Sequence, residues 1–62
     1  MDTKAIRKEA FLTQREFAEK LKVSIRTVQS WEQGRSEPSI KTKRKIITFC
    51  KRRKIDYLSK GV

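Results

Sequence analysis

Arg26, Gln29, Ser30 and Gln33 are separated by three, four and seven residues, the spacing that gathers side chains on one face of an α-helix. Such a face offers guanidinium, amide and hydroxyl groups, which suit the edges of nucleic-acid bases. Other chemistry has little to stand on. The chain has no histidine, so acid–base catalysis would fall to its seven carboxylates, and these form no paired cluster. Cys50 is the single cysteine, which leaves no disulfide and, without histidine, no metal site. The chain is expected to be no enzyme and to hold no cofactor, metal or small-molecule ligand.

Charge points the same way. Seventeen Lys and Arg face seven Asp and Glu, for a net charge of +10 on 62 residues. Residues 1–34 carry seven basic and five acidic side chains, whereas residues 35–62 carry ten and two. Solubility alone would need a charge of only about +3 or +4. The excess attracts polyanions, of which nucleic acid is the commonest, with RNA and anionic membrane left open by charge alone. A lone thiol suits a reducing, cytoplasmic setting. The longest uncharged apolar stretch, Ile46 to Cys50, is too short to span a membrane.

The elements that must position the polar face are short helices in a single domain, residues 1–62. A chain of this size buries only about 60% of its unfolded surface, so the core is thin. Helix 1 is expected over about residues 3–10, capped by Asp2 or Thr3, with Ile6 and Ala10 inward. Thr13 followed by Glu16 is a capping box that starts helix 2, whose Phe17, Ala18 and Leu21 share a face. Ser24 caps helix 3, where Val28 and Trp31 point inward, and Gly34 suits its left-handed end. Ser39 caps helix 4, roughly 40–52, with Ile40, Ile46, Ile47 and Cys50 buried. The "IDYLSK" segment reads as a frayed last turn or short helix in a tail of about 53–62. The expected fold is all-α, with four or five helices. Helices 2 and 3 are joined by only Lys22, Val23 and Ser24, which forces a steep crossing and leaves one face of helix 3 clear.

These residues carry a resemblance. Phe17, Ala18, Leu21, Val23, Val28 and Trp31, with Gln14 after Thr13 and then "WEQG" and "EPS", resemble the phage-repressor and Cro-like (lambda-repressor-like) helix-turn-helix family over about residues 5–50. The resemblance places the helix-turn-helix at about 14–33 and implies sequence-specific binding of double-stranded DNA by a small transcriptional regulator. It implies base contacts from Ile25, Arg26, Gln29 and Ser30, and phosphate contacts from Gln14, Thr27, Gln33, Arg35, Ser36 and Lys43. Lys41 and Arg44 would add long-range attraction. The family usually has glycine where this chain has Phe11 and Lys22. A left-handed conformation at either costs about 1 kcal/mol relative to glycine, although Phe11 could instead add core.

The resemblance also pairs Glu32, beside the buried stripe of helix 3, with Arg7 on helix 1 in a structural salt bridge. Phe49, Tyr57, Leu58 and Val62 are apolar groups available either for a homodimer contact or for covering the core. Two further functions fit the residues: an architectural or recombination accessory protein of a mobile element, and an antitoxin-like or adaptor interaction module. The polar character of Arg26, Gln29 and Ser30 speaks against the last, since protein-docking faces carry aromatic or aliphatic anchors.

Overall fold

Every helix begins on a short polar side chain that accepts the amide of the third helical residue. Asp2, Thr13, Ser24 and Ser39 accept from Ala5, Glu16, Thr27 and Thr42 respectively. At Thr13 the box closes, with the Glu16 amide donating to the Thr13 hydroxyl at 3.1 Å and the Thr13 amide to the Glu16 carboxylate at 2.9 Å. The computed structural model describes residues 1–58, so Val62 lies outside it. Among these residues four helices form: α1 (Thr3–Glu9), α2 (Gln14–Leu21), α3 (Ile25–Glu32) and α4 (Ile40–Arg53). No strand occurs among them, and no helix is long and apolar enough to cross a membrane.

All four helices also end alike. A residue with positive φ follows each: Phe11 at 59°, Lys22 at 58°, Gly34 at 74° and Lys54 at 57°. In each case that residue's amide donates back three residues and the next amide donates back five, the Schellman pattern. At α2, for example, Lys22 N–H meets the Glu19 carbonyl at 3.2 Å and Val23 N–H the Ala18 carbonyl at 3.0 Å. Only α3 uses glycine. After the other three left-handed residues comes an apolar one, Leu12, Val23 or Ile55, and all three pack on or within the core. Ile55 is buried and Leu12 and Val23 half-buried; full burial of such a side chain is worth about 1.5–3 kcal/mol, so even half of it is comparable to the roughly 1 kcal/mol cost of a non-glycine left-handed residue.

The core is one cluster: Ile6 from α1, Phe17, Ala18 and Leu21 from α2, Val28 from α3, Ile46 and Cys50 from α4, and Ile55 after it. α3 packs on α1 and α2, and α4 packs on α2. The small Ala18, buried on α2, keeps that helix's inner surface low where its neighbours approach.

Several sequence expectations need correction. Phe11 adds nothing to the core and is 93% exposed, because its left-handed backbone turns the side chain outward. Ile40 is exposed as well, since it is the first residue of α4 and the core meets that helix from Ile46 onward. Ile47 and Trp31 are half-buried. Trp31 lies about 60° around α3 from Val28, at the rim of the cluster. Ile55–Tyr57 form no helical turn; Ile55 instead folds back into the core after the left-handed Lys54.

Phe11 gives a direct test of the strain. Phe11→Gly removes the left-handed penalty and no buried surface, so unfolding free energy should rise by about 1 kcal/mol, and Tm by about 4–8 °C, in thermal and urea melts.

Candidate nucleic-acid interface

The polar face of α3 exists because its opposite side is consumed by packing. Val28 is fully buried and Trp31 half-buried, so Arg26, Gln29, Ser30 and Gln33 turn away from the core. With Arg35 from the following turn they line a shallow concavity of about 330 Å³. The structure thus brings together three of the four residues expected at bases and two of those expected at phosphates. Ser36 joins them through its hydroxyl, 2.8 Å from that of Ser30, which ties the loop after α3 to the helix. Ile25 is half-buried against the core at the start of α3. Thr27 faces its own cap, its hydroxyl 2.9 Å from that of Ser24. Lys43 stands apart on α4, 3.9 Å from Glu37 in a pair exposed enough to be worth little.

A network behind this face joins α1, α2 and α3. Arg7 Nε donates to Glu32 Oε2 at 2.7 Å, Nη2 to Oε1 at 3.2 Å, and Nη1 to the Leu12 carbonyl at 2.8 Å. The side chains are only 13% and 5% exposed. Gln14 Nε2 donates to Glu32 Oε1 at 3.1 Å, and Gln29 Nε2 donates to Gln14 Oε1 at 3.3 Å. A continuous path therefore runs from Arg7 through Glu32 and Gln14 to Gln29 on the outward face. Gln14 is thus more than a helix-start glutamine. Its spacing from Glu32 and Gln29 carries no signal in the sequence, because the contacts arise from the crossing of α2 and α3.

Burial pushes the Glu32 carboxyl up. The hydrogen bonds from Arg7 and Gln14, with the charges of Arg7 and Lys4, outweigh it and hold the group below its ordinary 4.5. No buried side-chain nitrogen or oxygen among the described residues lacks a partner, and none of them form a cluster of potential metal ligands.

Two helices joined by a three-residue turn, the second presenting a polar face over a buried network, define a helix-turn-helix. The chain matches the helix-turn-helix family model over residues 4–58. It belongs to that lambda-repressor/Cro-like family of DNA-binding regulators. No curated protein and no solved structure matches it significantly.

Arg7→Met leaves the Glu32 carboxylate buried without its cation and should cost on the order of 2–4 kcal/mol in urea unfolding. A carboxyl with a lowered folded pKa contributes stability above 4.5 that is lost as pH falls through the lowered value. Stability of the natural chain should therefore drop in that acidic range, and the Glu32 part of the drop should vanish in Arg7→Met.

Proposed function

We propose that the chain reads a specific double-stranded DNA sequence as a small transcriptional regulator, a repressor or Cro-like switch, with α3 in the major groove. The observation that carries this reading is the concave, hydrogen-bonding face of α3 with Gln29 held by Gln14. Arg26 would pair bidentately with guanine and Gln29 with adenine, each worth about 1–3 kcal/mol of discrimination. Ser30 lies beside them, and Ile25 offers its exposed part to a thymine methyl.

Gln14, Thr27, Gln33, Arg35, Ser36 and Lys43 would grip the flanking phosphates. Gln14 keeps one side-chain amide hydrogen for that task, at the first position of α2, where the helix dipole favours an anion. Affinity should fall steeply with salt as these contacts release counterions. The protein would act on DNA in the cytoplasm, with no catalytic step. Of the apolar groups available for pairing two copies, Leu58 is exposed, whereas Phe49 and Tyr57 pack against the core.

Selection from a randomised duplex pool near physiological salt tests the proposal. An enriched sequence is expected. If the enriched sequence is an inverted repeat, with half-sites about one helical turn apart, two copies bind on a two-fold axis. A pool that binds yet stays random would replace this reading with the architectural one.

A further inference from the structure

A second concave surface lies between α2 and α4, and it shares no residue with the α3 face. It is a groove of about 660 Å³ whose rim carries Lys20, Arg44, Lys45, Arg52 and Arg53, with no carboxylate among its lining residues. Phe49 lies in it, half-buried, its ring edge-on to Phe17 at 5.6 Å and the Arg53 guanidinium 4.7 Å above its centroid.

The placement along α4 is regular. Arg44 and Lys45 lie one turn before Thr48 and Phe49, and Arg52 and Arg53 lie one turn after. Two cation pairs about 12 Å apart thus straddle a single aromatic ring. Five like charges in one groove repel one another and cost stability unless something negative meets them.

The geometry points to this groove as a docking site for an acidic amphipathic helix of a partner protein. One apolar side chain of that helix would take the place of the Arg53 guanidinium over Phe49, and carboxylates a turn to either side would meet the two cation pairs, Arg53 included. A helix laid in a groove presents anchors at this one-turn spacing. A second copy of this chain fits poorly, because a two-fold contact through the same face would set five cations against five. A duplex backbone would match the charge but keeps its bases stacked on one another and away from the ring.

The test is a titration of the isotope-labelled chain, followed by amide and Phe49 ring resonances. The probe is a blocked 16-residue helical peptide with glutamates flanking one central leucine. Shifts should concentrate on Lys20 and on residues 44–53. Replacing the central leucine by alanine at unchanged charge should weaken binding about tenfold. Lys45→Glu combined with Arg52→Glu, both on exposed side chains, should weaken it by at least as much while leaving the fold and the preferred DNA sequence unchanged.

Equal binding of the leucine and alanine peptides would overturn the proposal, since attraction would then be charge alone. Groove resonances that shift with duplex DNA and not with the peptide would overturn it in favour of a nucleic-acid surface. Because the DNA preference is read separately, failure here leaves the recognition role of α3 standing.

Discussion

The Arg7–Glu32 ion pair is the contact on which the rest of the molecule turns. Both side chains are largely withdrawn from water, and such a pair is tolerable only when the remaining donors and lone pairs are also satisfied. Here they are. The guanidinium spends its third donating nitrogen on the Leu12 carbonyl, and the carboxylate takes a third hydrogen bond from Gln14. The pair joins α1 to the last residue of α3, so an eight-residue helix too short to persist alone gains a fixed end. Arg7 also offsets the unfavourable placement of a carboxylate at a helix C-terminus.

From that anchor the same chemistry reaches the outside. Gln14 carries the network across to Gln29, so a side chain facing solvent is oriented from behind by a buried charge pair. Preorganisation of this kind lowers the side-chain entropy lost when a partner binds. The turn chemistry serves the same end. Schellman closures at all four helices fix where each connection leaves, and the apolar residue after each non-glycine left-handed position docks it to the core.

What was legible in the sequence follows the range of the interactions. The caps at Thr13, Ser24 and Ser39 join a side chain to an amide three residues away, so neighbouring letters suffice to read them. The grouping of Arg26, Gln29 and Ser30 on one face needs only helical periodicity. Phe11, Ile40 and Ile55 were not legible, because their exposure depends on where the chain leaves a helix relative to a core built by other segments. Lys54 gave no warning as a left-handed terminator, since lysine carries no glycine-like signal and its cost is covered by the burial of Ile55. The Gln14–Gln29 hydrogen bond was hidden for a similar reason: it exists only once α2 and α3 have crossed.

If α3 is the recognition helix, its outward face must select bases. The most direct measurement compares the natural chain with a Arg26→Ala, Gln29→Ala, Ser30→Ala variant, titrating each against the DNA selected by the natural chain and a scrambled duplex. The three side chains contribute nothing to the hydrophobic cluster, so the variant should keep its helical circular dichroism and cooperative melt. Scrambled-duplex affinity should stay within about threefold of the natural chain's, with the preference for the selected sequence gone. A folded variant that still prefers the selected sequence would contradict the recognition role of α3.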